Sequence, residues 1–164
     1  MRRAIITGSF DPVTAGHEDL IRRAADMFDA VTVVVLANAE KPSGMFHPTD
    51  RLRFVEKTVA GIPNADAAMW PGLTSDIAHA LGAKYLIRGA RSGSDFDYEY
   101  DLAFIMKRFD PELETVILPS RPELSMISST YVRELLKYGS PLEGSVPDAC
   151  LDDMRETYAK SKSE

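Results

Sequence analysis

Three features of the sequence predict an α/β domain built as a doubly wound, five-stranded parallel sheet with helices on both faces. Short apolar runs of strand length alternate five times with amphipathic stretches of helix length. Strands joined by helical crossovers pair in parallel, and their helices cover both faces of the sheet. The run Val31-Thr32-Val33-Val34-Val35-Leu36 shows almost no polar alternation, the pattern of a strand buried on both sides. The chain has 164 residues, of which 45% are hydrophobic and 27% charged, values that fit one globular domain and not a disordered chain. We expect a single domain over residues 1–160 and a loose C-terminal tail over 161–164.

Taken in order, the first strand is expected over Arg3 to Ile6. The first helix follows over His17 to Phe28, where Leu20, Ile21, Ala24 and Phe28 share one face. The second strand is Val31 to Leu36. A loop from Asn38 to Pro48 leads into a helix over about Thr49 to Ala60, which Thr49 can cap, and then to a weaker strand at Ala67 to Trp70. A short helix at about Ser75 to Leu81 stops at Gly82, a residue suited to a left-handed terminus. The fourth strand is Tyr85 to Ile87. From Ser94 onward, Ser94-x-x-Asp97 has the form of a capping box, and Tyr98, Leu102, Ile105 and Phe109 recur at helical spacing until Pro111 ends the run. Thr115 to Leu118 is the fifth strand. A helix over Ser129 to Tyr138, with Val132, Leu135 and Leu136 inward, and a last helix over about Pro147 to Lys160 complete the pattern.

Composition excludes several classes of function. Nineteen Lys and Arg stand against 25 Asp and Glu, a net charge of -6, so no nucleic-acid partner is expected, because generic binding of that kind runs on a basic surface. Cys150 is the single cysteine, which rules out an intrachain disulfide or a CxxC pair and fits a reducing, cytoplasmic setting. The apolar opening to Ile6 is broken by Thr7, Gly8, Ser9 and Asp11 far short of a signal sequence. No apolar run approaches membrane-spanning length, so no membrane partner is expected.

In such sheets ligands bind beyond the carboxyl ends of the strands, so the chemistry is sought there. After the first strand comes Gly8-Ser9-Phe10-Asp11-Pro12-Val13-Thr14-Ala15-Gly16-His17. Its glycines allow close approach of main chain to a ligand, and the helix start turns free N–H groups into the same space, as a phosphate requires. His17 falls in the first helical turn, where the dipole disfavours the imidazolium and leaves a neutral donor. No P-loop, dinucleotide fingerprint or nucleophile elbow is present. Lys41 follows the second strand; a lone loop lysine is ordinarily solvated. Ile87-Arg88-Gly89-Ala90-Arg91 places two guanidinium forks at the fourth strand's end, suited to phosphate or to a solvated turn. Leu124-Ser125-Met126-Ile127-Ser128-Ser129-Thr130 runs into a helix with three successive hydroxyls, Ser128, Ser129 and Thr130, where one would suffice as a cap. Asp95, Asp97, Glu99 and Asp101 spread around a helix and cannot converge on a metal; Glu99 alone lies near the Arg88 to Arg91 corner. His47 and His79 lack partners at zinc-ligand spacing.

In combination these loops resemble a known family. Gly8-Ser9-Phe10-Asp11-Pro12-x-Thr14-x-Gly16-His17 resembles the T/HxGH signature of the nucleotidylyltransferase superfamily, and Ile127-Ser128-Ser129-Thr130-x-Val132-Arg133 its second signature. With Ile87-Arg88-Gly89-x-Arg91 and Asp95-Phe96-x-Tyr98-Glu99 between them, the chain is similar to phosphopantetheine adenylyltransferases over roughly residues 3 to 158. The resemblance implies a Rossmann-like fold and transfer of the adenylyl group of ATP to 4'-phosphopantetheine, with Mg2+, giving dephospho-CoA and pyrophosphate. By motif position it implies that His17, Lys41 and Arg91 are catalytic. It implies an ATP site from Ser9, Phe10, His17, Gly89, Ala90, Arg91, Glu99 and Leu124, Ser125, Met126, Ile127, Ser128, Ser129 and Thr130. The acceptor would meet Ser9, Lys41, Thr74 and Arg88, with no protein ligand to the metal. It also implies a homohexamer and coenzyme A as a candidate inhibitor.

Some positions depart from that family's usual pattern: Thr7 replaces Pro, Thr74-Ser75 replaces a more apolar pair, and Met106 replaces Asn. The rival readings are a related nucleotidyltransferase using CTP or another phosphorylated acceptor, and a non-catalytic nucleotide sensor. Cytidylyltransferases typically carry His where Thr14 stands and an Arg-Thr-x-Gly-Ile-Ser-Thr-Thr second motif, and this chain has neither. Intact His17, Lys41, Arg88 and Arg91 weigh against the sensor.

Overall fold

Val31, Val33, Val34 and Val35 are each at most 1% exposed, because both faces of their strand are covered. In the computed structural model, which describes residues 1–38 and 40–163, this run is β2 (Ala30–Leu36). It follows β1 (Arg3–Gly8) and α1 (Ala15–Met27) and precedes α2 (Pro48–Val59) and β3 (Ala65–Trp70). The second half runs α3 (Thr74–Leu81), β4 (Tyr85–Ala90), α4 (Gly93–Phe109), β5 (Glu114–Pro119), α5 (Ser129–Lys137) and α6 (Leu151–Ser161). Of the loop before Lys41, Ala39 lies outside the described residues, as does Glu164 at the end of the expected tail.

The strand order is β3-β2-β1-β4-β5, and every neighbouring pair is parallel. The expected five-stranded sheet is therefore present, wound outward in both directions from β1. Alternation along each strand divides the core. Ala4, Ile6, Val33 and Val35 face α1 and α2, with Phe54 and Met154 packed behind them. Ile5, Val34 and Leu86 face Ile77 and Ala78 of α3. On the first face α6 is tied to α2 by Arg53, whose Nε lies 3.0 Å from Asp153 Oδ2, and by Lys57 Nζ at 2.7 Å. Hydrogen bonding from Arg53 holds the Asp153 carboxyl well below the usual carboxylate range.

Several local expectations are corrected. α1 starts at Ala15 because Thr14 caps it, its Oγ1 accepting from His17 N at 3.3 Å. Thr49 does not cap α2: Pro48 occupies the first turn, and His47 Nδ1 accepts from Thr49 N. Ser94 lies inside α4, whose cap is Ser92 accepting from Asp95 N at 3.2 Å. β4 continues through Arg88, Gly89 and Ala90, which pair with Ile117, Leu118 and Pro119 of β5; the polar residues interrupt the apolar pattern without interrupting the ladder. The last helix opens with a separate 3-10 turn at Asp148–Cys150. The periodicity of α4 is real, but it does not mark a buried face. Tyr98, Ile105 and Phe109 are 62%, 46% and 60% exposed, and Glu99 is the buried residue of the helix. Gly82 does end α3, at φ 62°.

Candidate active site

The site begins where two neighbouring strands part. β1 and β4 pair only as far as Ile6 and Ile87, whereas β1 remains paired with β2 to Gly8 and β4 with β5 to Ala90. A crevice opens at the point where the strand order reverses, the position at which doubly wound sheets take their ligands. The parting leaves the Thr7 carbonyl without a ladder partner on that side, and Arg88 Nη1 donates to it at 2.6 Å. The rest of the guanidinium forms a bidentate pair with buried Glu99 of α4, at 2.6 and 2.8 Å.

Above this corner lies a cavity of about 510 Å³. Of the residues the sequence singled out, Ser9, Phe10, His17, Arg88, Gly89, Arg91, Glu99, Leu124, Ile127, Ser128, Ser129 and Thr130 all line it. The others lie outside that lining. Ala90 is buried within β4, Met126 is 83% exposed and Ser125 turns its hydroxyl to Pro122 O. Lys41 stands on the exposed loop after β2, and Thr74 is the first residue of α3.

His17 is held rigidly. Thr14 N donates to its Nδ1 at 3.0 Å, completing a reciprocal capping box in which His17 takes the place usually filled by Glu or Gln. The Phe10 ring meets the imidazole edge-on, 5.0 Å between centroids. Because Nδ1 accepts, the neutral ring carries its proton on Nε2. Burial first, then the charges of Arg91 and Arg88, lower its pKa from 6.5 to about 4. The direction is the one the helix dipole suggested, but the cause is desolvation and two guanidinium groups.

The three successive hydroxyls at the start of α5 have three separate partners. Ser128 Oγ accepts from Tyr131 N at 3.0 Å as the cap, Ser129 Oγ donates to Pro12 O at 2.8 Å, and Thr130 Oγ1 accepts from Arg133 Nη2 at 2.9 Å. The start of α5 is thereby pinned to the β1–α1 loop. Sequence reading gave no role to Thr14, Asp19, Arg23, Tyr98, Ser120, Arg121 or Arg133, which also line the cavity. Asp19 accepts from Arg23 at 3.2 Å and from Arg121 at 2.6 Å, linking α1 to the segment after β5. The spacing of Asp19 and Arg23 at i and i+4 was a visible signal for half of that link.

Residues 5–135 match the cytidylyltransferase-like family model. A phosphopantetheine adenylyltransferase of Lachnoclostridium phytofermentans is 40% identical over 164 residues, 100% of both chains. The chain belongs to the phosphopantetheine adenylyltransferase family. A second relative of that name, from Rubrobacter xylanophilus, is 40% identical over 161 residues, 98% of each chain. A solved Vibrio parahaemolyticus structure, described as a nicotinate-nucleotide adenylyltransferase, has a TM-score of 0.66 and 16% identity, covering 96% of this chain and 95% of that one; it shares the fold. Against the usual pattern of phosphopantetheine adenylyltransferases, Thr7 supplies the carbonyl that Arg88 engages, and Met106 packs against the core on the α3 side of the sheet, away from the cavity lining.

The state of His17 is open to direct measurement. By proton NMR, assigned with a His17→Gln variant, the imidazole should stay neutral down to about pH 5 and titrate with a midpoint near 4. Unfolding restores the ordinary value, so the stability contributed by neutral His17 declines as pH falls from 6.5 towards 4. A midpoint at or above about 6 would show that neither burial nor the arginines govern this ring.

Proposed function

We propose that the chain transfers the adenylyl group of ATP to 4'-phosphopantetheine, yielding dephospho-CoA and pyrophosphate, by in-line attack at the α-phosphorus with no covalent enzyme intermediate. Family membership supports the substrates. The observation that carries the mechanism is the fixed tautomer of His17: with Nδ1 accepting from Thr14 N, Nε2 bears a proton and is a donor, not a nucleophile. The acceptor needs no general base, because a phosphate monoester with a second pKa near ~6 is largely ionised at pH 7. What the protein must do is bring two anions together and stabilise the charge that grows as the phosphorus becomes pentacoordinate.

In this reading Arg91 and the Nε2–H of His17 meet the phosphates of ATP, and Gly89 with the segment Leu124 to Thr130 receives the nucleotide. Ser9, Arg88 and Lys41 take the acceptor's phosphate. Glu99 works through Arg88: its bidentate pair fixes the guanidinium plane and keeps its own carboxylate from facing the triphosphate bare. Lys41 is exposed on its loop, where its ammonium is open to an incoming anion.

When bound, magnesium would supply charge neutralisation for the phosphates of ATP. Among the described residues no three His, Cys, Asp or Glu side chains converge; by family resemblance the ion would arrive on the nucleotide with its own waters. Among the described residues no helix is long and apolar enough to cross a membrane; by family resemblance we place the enzyme in the cytoplasm. Coenzyme A carries the same pantetheine arm and an adenosine, so it would compete for this cavity. On α4 the exposed Phe96, Tyr100 and Phe104 form one apolar strip and Tyr98, Ile105 and Phe109 another on the opposite flank of buried Glu99, surfaces that support self-association, in a homohexamer by family resemblance.

A substrate panel tests the activity. Dephospho-CoA and pyrophosphate should form only when ATP, magnesium and 4'-phosphopantetheine are all present. Equal turnover with CTP, or none with this acceptor, would overturn the assignment.

The role of Lys41 is tested with a control that lacks the phosphate. Lys41→Ala should weaken 4'-phosphopantetheine binding roughly tenfold or more, the value of about 1.5–3 kcal/mol for a charge-assisted contact, while ATP binding barely changes. Dephosphorylated pantetheine should bind the variant and the wild type alike. Equal losses for both ligands would make Lys41 a wall of the pocket and not a phosphate ligand.

A further inference from the structure

Asp11 belongs to the first signature loop, yet it is buried and does not line the cavity. Its side chain is spent on a different segment. Oδ2 accepts from Met45 N at 2.8 Å and Oδ1 from Phe46 N at 2.9 Å, and Arg51 Nε stands 3.4 Å from Oδ1. Arg51, only 3% exposed, donates from the same Nε to Phe46 O at 2.8 Å and reaches Ser9 O with Nη1 at 3.5 Å. On the opposite side Arg133 Nη1 donates to the Asp11 carbonyl at 2.7 Å.

We propose that Asp11 and Arg51 form a positioning clamp that fixes the Lys41 loop against the Ser9 loop, and so sets the geometry in which the acceptor's phosphate is gripped. The inference rests on the reading that Ser9 and Lys41 receive that phosphate. Residues 40–46 have no regular secondary structure, and among the described residues their hydrogen bonds to other elements all run to Asp11 and Arg51. Two adjacent backbone amides aimed at one carboxylate are a directed arrangement, since a buried N–H needs an acceptor and a carboxylate can serve two. A buried ion pair is a poor source of stability compared with apolar packing, so its use here is to specify where the loop lies. Gly44 carries the geometric signature of the clamp. Its φ is 99°, a conformation that L side chains rarely adopt, and a Cβ there would stand 2.6 Å from Arg51 Nη2.

The test is a double-mutant cycle on the full-length enzyme with Asp11→Asn and Lys41→Ala, reading KM for 4'-phosphopantetheine and, separately, the dissociation constant of ATP. The amide of Asn turns a donor towards a backbone N–H and Arg51, so Asp11→Asn should raise acceptor KM roughly tenfold or more and leave ATP binding within about threefold. Added to Lys41→Ala, it should raise acceptor KM by less than about twofold, because the clamp acts through that lysine. Gly44→Ala alters an exposed position, keeps both clamp side chains and should raise acceptor KM in the same direction; it carries the test if Asp11→Asn does not fold. The proposal is overturned if Asp11→Asn and Gly44→Ala leave acceptor KM unchanged, or if the effect of Asp11→Asn multiplies in full on Lys41→Ala. If Lys41→Ala alone leaves acceptor KM unchanged, the reading of Lys41 has failed. Hydrogen exchange then judges the clamp by itself: slow amides at Met45 and Phe46 that become fast in Gly44→Ala uphold it, and fast amides in the wild type refute it.

Discussion

The parting of β1 and β4 beyond Ile6 and Ile87 governs everything else in the site. A parallel sheet wound outward from β1 cannot have a crossover helix covering the end of that seam from both directions, so a crevice is built into the topology. Its cost is a strand carbonyl without a partner, and Arg88 meets that cost by reaching from β4 to Thr7 O while Glu99 holds the rest of its guanidinium. One side chain thus joins the two diverging strands and places positive charge where two phosphates are proposed to react. Strand geometry and electrostatics are satisfied by the same contact.

The protein as a whole is acidic, with a net charge of -6, but the cavity is not. Arg23, Arg88, Arg91, Arg121 and Arg133 line it against Asp19, Asp95 and Glu99. In a recess with low-dielectric walls such an imbalance attracts anions more strongly than the same charges on an open surface. It also explains why His17 is neutral. For a half-buried ring close to two guanidinium groups the protonated form is disfavoured, and the ring is a dipolar donor while the arginines carry the formal charge. In the proposed reaction the fixed charges would hold the ground-state anions, and the hydrogen bond from Nε2 would meet charge that develops during transfer.

Much of this was legible in the sequence, for identifiable reasons. The β-branched run of β2 and the alternation of strand and helix reflect burial on both faces, which composition records directly. The strand-end loops were legible because glycine, hydroxyl and arginine residues collect where main chain meets anions. The continuation of β4 was not, since Arg88 and Gly89 line the cavity from within the strand and break its apolar pattern. Nor was the exposure of α4, because periodicity shows that a helix has an apolar face without showing what covers it. Asp11 was quoted only as part of a motif, and nothing local reveals that its carboxylate meets Met45 and Phe46 some 35 residues away. Lys41 was found by position alone, and its exposed place outside the cavity lining leaves its role to experiment.

Adenylyl transfer is proposed to run by a single displacement at the α-phosphorus, with protein side chains aligning and neutralising but never bonding to it. The stereochemical course measures this directly. With ATP made chiral at the α-phosphorus by sulfur substitution, a single in-line attack by the acceptor's phosphate inverts configuration in the dephospho-CoA analogue formed. Inversion is the expected result. Net retention would require two displacements, and hence a covalent adenylyl-enzyme, and would contradict a His17 that is a fixed donor.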